Sequence, residues 1–284
     1  MSEVYDNTLD GVSEAAAAQI ELIDKKLPAY LIHAGMAGAY IGLAILLIFA
    51  LGTPMVGTPL EPLRGVVMAG AFGIALSLVI VAGSELFTGN AMIMGVGALE
   101  GRTSWGALGK VWVWSWIGNL FGSLLVAAMA AWGGVFSDPT LVYAVAETKM
   151  TLSPLELFIQ GIFCNWLVVL AVWSNFRLEN AIAKLVMIWW CLLAFIGTGF
   201  EHSVANMTVL SLANFLTITT GQAGPAAINW VNMAYNISIV TVGNTFAGVV
   251  MMGAAYWYIN ESYKIDLSAD DSFGDEGNIA SADD

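Results

Sequence analysis

The sequence predicts an all-α integral membrane protein with six transmembrane helices, built as two inverted copies of a three-span unit. Three observations predict it. The chain is 58% hydrophobic and only 11% charged over 284 residues, with a mean hydropathy of +0.76, where a soluble domain carries roughly 25% charged residues. Its apolar stretches are too long and too continuous for barrel strands of about ten alternating residues. Two of those stretches carry matching polar insertions, Gly83-Ser84-Glu85-Leu86-Phe87-Thr88-Gly89-Asn90 and Gly197-Thr198-Gly199-Phe200-Glu201-His202-Ser203-Val204-Ala205-Asn206. Each places a carboxylate five residues before an asparagine.

The elements follow in order. Residues 1–27 form an acidic segment with six acids and no base before Lys25. Within it, 13–27 is expected to be an amphipathic helix capped by Ser13, and Pro28 marks entry to the membrane. No cleavable signal is expected, because this end is acidic where a signal starts basic and turns apolar. Six spans are expected near 28–51, 64–97, 107–132, 154–176, 184–214 and 235–259. The second and fifth exceed the roughly 20 residues that a spanning helix needs. These two hold the polar insertions, so each is expected to divide into half-helices joined by irregular backbone, which membrane depth tolerates only beside protein or a cavity. Residues 261–284 hold eight acids against Lys264 and are expected to be a solvated, disordered tail. The transmembrane domain thus covers 28–260, and the body from 25 to 260 is electrically neutral, with eight acids and eight bases.

Basic residues orient the spans. Lys25, Lys26, Arg102, Lys110, Arg177, Lys184 and Lys264 fall on one side, and only Arg64 and Lys149 on the other. That split places both termini in the cytoplasm. Span 3 carries Gly118-Asn119-Leu120-Phe121-Gly122 and span 6 carries Gly243-Asn244-Thr245-Phe246-Ala247. With the matched insertions, these mark two copies, 28–132 and 154–259. An odd number of spans per copy inverts one against the other, and inverted copies place a site at their interface near the midplane. Gly35, Gly38, Gly42, Gly118 and Gly122 suit close helix contact. The tryptophans fit interfacial belts or a subunit contact.

Ionisable groups inside a bilayer are expensive and usually face a pathway. His202 is the sharpest candidate, because an imidazole titrates near neutral pH and can hold or shuttle a proton. Thr88 could orient that imidazole or hold a solute, or could cap a half-helix starting near Gly89. Glu85 and Glu201 could bind a cation, or could accept the free N–H groups of the half-helices that follow them. Asn90, Asn165 and Asn206 fit either solute or loop backbone. Lys149 is a surface lysine unless it stands at a vestibule mouth, where it attracts anions. Cys164 and Cys191 lack metal-ligand spacing and read as small buried hydrophobes. No metal, cofactor or nucleic-acid partner is expected, and no nucleophile–base pairing argues for an enzyme.

These same residues resemble the formate/nitrite transporter family. The resemblance covers about residues 20–260 and rests on Gly83 to Gly89, on Gly199 to Met207, and on Cys164-Asn165-Trp166-Leu167-Val168. Ala37-Gly38-Ala39-Tyr40 and the run Ile188 to Ile196 resemble its bacterial nitrite-channel branch most. The resemblance implies an aquaporin-like protomer in a homopentamer of the bacterial inner membrane, with one pore per protomer. It implies that His202 is the central histidine and Thr88 its partner. Leu76, Leu86, Phe87 and Val168 would form the cytoplasmic constriction, and Phe72 and Phe195 the outer one. Lys149 would be a vestibule lysine, with Asn165 and Asn206 beside the constrictions.

The expected function is passage of small monovalent anions of weak acids, nitrite first, with formate or hydrosulfide or a broad-specificity weak-acid anion pore as alternatives, together with protons. A bare anion meets a high barrier in an apolar slit, whereas a neutral acid crosses easily. The proton would come from His202 or from water it orients. A water or glycerol channel is the first rival, but its paired Asn-Pro-Ala motifs are missing from the insertions. A haem module would need His33 with His202, the two imidazoles of the chain.

Overall fold

The structure, a computed structural model, describes residues 2–263. Most of the expected acidic tail, 264–284 with Lys264, lies outside the described residues. Among those described, the chain is helical: α1 (Ser2–Gly52), α2 (Arg64–Ala71), α3 (Ile74–Ala82), α4 (Phe87–Leu99), α5 (Trp105–Trp132), α6 (Thr140–Thr151), α7 (Pro154–Arg177), α8 (Ala181–Thr198), α9 (Ser203–Thr219) and α10 (Trp230–Phe246). A π-helical segment, Ala247–Ala254, continues α10. Among the described residues, six helical stretches are long and apolar enough to cross a membrane. Large apolar side chains such as Ile32, Leu43, Val81, Phe121, Met129 and Val242 stand exposed on the surface. Water would penalise such a surface, and lipid does not. The chain is a multi-pass membrane protein.

The amino-terminal element differs from its expectation. The helix begins at Ser2 rather than near residue 13, and Ser13 is not its cap: its Oγ donates to the carbonyl of Asp10 at 2.9 Å inside the helix. Packing explains the extension. Leu9, Val12, Ala16 and Ile23 are buried in one cluster with Met92, Val96, Val169 and Met252, and that burial outweighs the weak local signal of a short acidic helix. Pro28 does mark a break. It has no N–H for the carbonyl of Asp24, and its ring crowds that carbonyl. The helix bends just before it, at Lys26 (φ −149°, ψ 58°). Acids of this segment meet bases: Arg102 reaches Asp10 at 3.3 Å and Glu14 at 3.8 Å, Lys110 pairs with Asp24, and Lys25 pairs with Glu21 at 2.5 Å. These pairs are exposed, so each contributes little by itself.

Two close helix crossings hold the bundle. α1 meets α5 where Gly38 faces Asn119 and Gly122 faces Gly35; a Cβ on either glycine would overlap a backbone carbonyl. α7 meets α10 where a Cβ on Gly243 would run into the carbonyl of Phe158. Backbones this close leave room for asparagine side chains to reach across from one helix to the next, and two of them shape the site. Cys164 and Cys191 are buried free thiols.

Candidate functional site

The site is assembled from two non-helical segments. The first lies between α3 and α4. Gly83 turns the chain with φ +71°, a conformation that costs glycine nothing, and Leu86 (φ −96°, ψ 119°) leads extended into α4. The second lies between α8 and α9. Gly199 takes φ +76°, and His202 (φ −108°, ψ 117°) leads into α9.

Each segment is clasped by an asparagine from a neighbouring helix. Asn119 of α5 accepts the N–H of Phe87 at 2.9 Å and donates to the carbonyls of Ala34 and Glu85, both at 2.8 Å. Asn244 of α10 accepts the N–H of Ser203 at 2.9 Å and donates to the carbonyls of Gly161 at 2.8 Å and Glu201 at 3.0 Å. The correspondence extends to the backbone: Glu85 N–H reaches the carbonyl of His33, and Glu201 N–H that of Gln160, each at 3.4 Å. Buried donors and acceptors that irregular backbone would otherwise leave open are satisfied in the same way twice.

The carboxylates therefore do something other than accept backbone N–H groups. Glu85 accepts the side-chain amide of Asn90 at 3.1 Å. Asn90 in turn donates to the Tyr30 hydroxyl at 3.3 Å and accepts from Gln19 of α1 at 2.9 Å. Glu201 accepts from Asn206 at 2.5 Å and from Asn236 at 3.3 Å, and pairs with Lys149 Nζ at 2.6 Å. Lys149 is thus not a free surface lysine. Its side chain is 17% exposed, and its carbonyl accepts from Asn236 at 2.8 Å. It sits at the end of α6, a helix outside the six expected spans. Asp138 accepts the N–H of Thr140, the first residue of α6, at 3.0 Å. The hydroxyl and N–H of Thr140 hold the Asp138 carboxyl below the usual carboxylate range.

Where the two helical starts meet, Thr88 Oγ1 lies 3.0 Å from His202 Nε2. His202 caps α9, its Nδ1 accepting the N–H of Ala205 at 3.1 Å. Thr88 is not a cap, because α4 already starts at Phe87. Asn165 of α7 spans both halves, donating to the carbonyls of Thr88 at 3.1 Å and Asn244 at 2.6 Å. Asn206 is spent on Glu201 and on Asn236 at 2.8 Å. Both asparagines therefore serve the framework in this structure.

A cavity of about 550 Å³ opens above His202, walled by Phe49, Phe195 and Phe200 with Arg64, Lys149 and Glu201. Phe195 stacks on His202 (centroids 5.8 Å, 21°) and meets Phe72 edge-on (5.6 Å, 84°). Of the residues singled out in the sequence, Phe195, His202, Asn206, Lys149 and Glu201 face this cavity. Leu76, Leu86, Phe87, Val168 and Phe72 do not; all five are buried in the core cluster that also holds Phe195. Sequence reasoning missed Asn119, Asn236 and Asn244 as structural clasps, and Arg64 as a wall residue. An asparagine inside an apolar span is itself a signal, but the two Gly-Asn pairs served only to mark the repeat. Among the described residues, no group of three or more His, Cys, Asp or Glu side chains could hold a metal ion.

Comparison with known proteins follows from this geometry. The family model described as formate/nitrite transporter matches residues 6–258. The chain is 45% identical over 249 residues to the nitrite transporter NirC of Escherichia coli (strain K12), covering 86% of this chain and 88% of that one. Among solved structures it resembles an FNT family ion channel with a TM-score of 0.83 at 42% identity, covering 89% of this chain and 99% of that one. It also resembles a pentameric formate channel with formate bound, with a TM-score of 0.69 at 29% identity, covering 81% and 96% of the two chains.

Proposed function

The chain belongs to the formate/nitrite transporter family, and from that premise and the geometry of the cavity we propose that it passes small monovalent anions of weak acids, nitrite foremost, through a pore centred on His202. One observation carries the reading: a cavity walled by two cations ends on an imidazole that is hydrogen-bonded across the two helical starts. We read Leu76, Leu86, Phe87 and Val168, all apolar and buried in one cluster, as the constriction on the cytoplasmic side of His202. A charged solute is strongly disfavoured there and a neutral acid is not.

The hydrogen bonds favour one source for the proton. Nδ1 of His202 accepts a backbone N–H, so the proton of the neutral ring sits on Nε2 and is donated to Thr88 Oγ1. A second proton on the ring would displace the Ala205 N–H and uncap α9. His202 therefore works as a neutral donor. It fixes the oxygen of Thr88 so that the hydroxyl proton turns toward the passing anion, and solvent entering the cavity supplies the proton that crosses with it. Flux should then rise as the pH on the entry side falls, because more of the solute is already the acid.

The relatives support the choice of anion and the assembly. NirC is named a nitrite transporter, and one structural relative is a pentameric channel that binds formate. We read this chain as a homopentamer of the bacterial inner membrane with both termini cytoplasmic, in line with its basic residues, and as a transporter rather than an enzyme. The test is uptake into proteoliposomes across pH 5 to 8 (about 1.5 units either side of the free imidazole pKa), comparing nitrite, formate and hydrosulfide. Wild type should favour nitrite and respond to an inward proton gradient. His202→Phe should lose most of the flux, and what remains should still rise at low pH because that rise comes from the solute; unchanged flux would sink the scheme. Equal rates for all three anions would make the pore a general one, and swelling by glycerol would favour a neutral-solute channel.

A further inference from the structure

The cavity must draw anions from solution, and its charges decide which residue does so. Its wall carries Arg64, Lys149 and Glu201. Lys149 is already held by Glu201 at 2.6 Å, with Glu201 only 2% exposed. To meet an anion, Lys149 would have to leave a buried carboxylate without its cation, which is strongly unfavourable. Arg64 differs. Its partner is Glu61 at 2.8 Å, through Nη1 alone, and the two side chains are 28% and 43% exposed. Glu61 is not part of the cavity wall, and its second oxygen is fixed by the N–H of Gly57 at 2.9 Å. Counted on the wall, two cations face one carboxylate, and Arg64 is the cation left over.

We propose that Arg64 is the anion-capture residue of this cavity, and that Glu61 sets how strongly it captures. The inference rests on the anion-transport reading above. A guanidinium presents five N–H donors in a planar fork, and in Arg64 only Nη1 is engaged among the described residues. A planar anion with two oxygens, such as nitrite or formate, can bridge two of the open donors while Glu61 keeps its own bond. Hydrosulfide has one acceptor atom and gains less. Solvent-exposed pairs of this kind are weak, so a passing anion can share the guanidinium and leave again. Arg64 is thus a positioning and selectivity residue at the entry, upstream of His202.

The experiment is initial uptake against anion concentration in proteoliposomes, at low ionic strength and in about 1 M impermeant salt, where the screening length falls to ~3 Å. Arg64→Gln should raise the half-saturating concentration of nitrite and formate about five-fold and leave saturating flux unchanged. Arg64→Lys should recover part of that loss, Glu61→Gln should lower the half-saturating concentration, and high salt should close the gaps. Hydrosulfide should respond least. An Arg64→Gln curve that superimposes on wild type overturns the proposal. So does a loss of saturating flux that Arg64→Lys does not rescue, since that marks a structural role. Failure of wild type to carry any of these anions is a separate result and overturns the transport reading instead.

Discussion

The two non-helical segments share a framework and differ in what it carries. In both, a glycine at positive φ turns the chain, a glutamate binds an asparagine five residues on, and an asparagine from a neighbouring helix clasps the backbone. Aligned on their glutamates, Leu86 stands where His202 stands, and Val204 where Thr88 stands. Glu201 has a cation, Lys149, whereas Glu85 makes no ion pair among the described residues and is joined to α1 through Asn90 and Gln19. The framework is duplicated because both copies must solve the same problem of irregular backbone away from water. The contact between them is single: one imidazole from the second segment meets one hydroxyl from the first.

The comparison can be broken by experiment, most strongly at the carboxylates. Glu201→Gln leaves Lys149 without its counter-charge and should destabilise the protein by about 3 kcal/mol, read as earlier loss of folded protein on heating in detergent. Glu85→Gln, which keeps an oxygen for Asn90, should cost less than about 1 kcal/mol. Glu201→Gln with Lys149→Met should recover most of the loss. Comparable costs for the two single variants would erase the distinction between the segments.

Removing the clasps tests what the segments share. Asn119→Ala and Asn244→Ala each open several buried backbone bonds and should each cost about 2–3 kcal/mol. If one variant is silent, the two frameworks are not equivalent. A smaller effect separates capping from transport at His202. His202→Leu loses the cap on α9 and should cost about 1 kcal/mol, while His202→Asn, a good cap, should restore stability but not nitrite flux. Stability and flux returning together would show that His202 acts only through the helix. The smallest expected change is at the α1 contact. Gln19→Met removes one donor from Asn90 and should cost about 1 kcal/mol or less; hydrogen exchange at Glu85 to Asn90 is the sensitive readout, and unchanged protection would detach α1 from the first segment.

Much of this was readable from the chain because the bilayer makes polarity conspicuous. Glu85, Thr88, Glu201 and His202 stand out against apolar surroundings, and the structure gathers the last three around one contact and one ion pair. Their partners were harder to see. Asn119 and Asn244 were visible as repeat markers, but their purpose depends on which backbone lies across the helix crossing. Lys149 was expected at a vestibule mouth, but its pairing with Glu201 depends on where α6 lies. The start of α1 was misplaced for the reverse reason: a short acidic helix has little intrinsic stability, and its extent is set by burial of Leu9 and Val12 against distant residues.

The sequence by itself determined that this is a multi-pass helical membrane protein and that two matching polar insertions interrupt its apolar stretches. Those properties follow from transfer free energies and periodicities that are local to each segment. Only the tertiary structure decided which polar group serves which. A hydrogen bond or ion pair at 3 Å joins residues more than a hundred positions apart, as Thr88 joins His202, and that choice depends on how closely the helices cross. It spends Glu201 on Lys149, turns Asn165 and Asn206 to the framework, and sets Arg64 on the cavity wall.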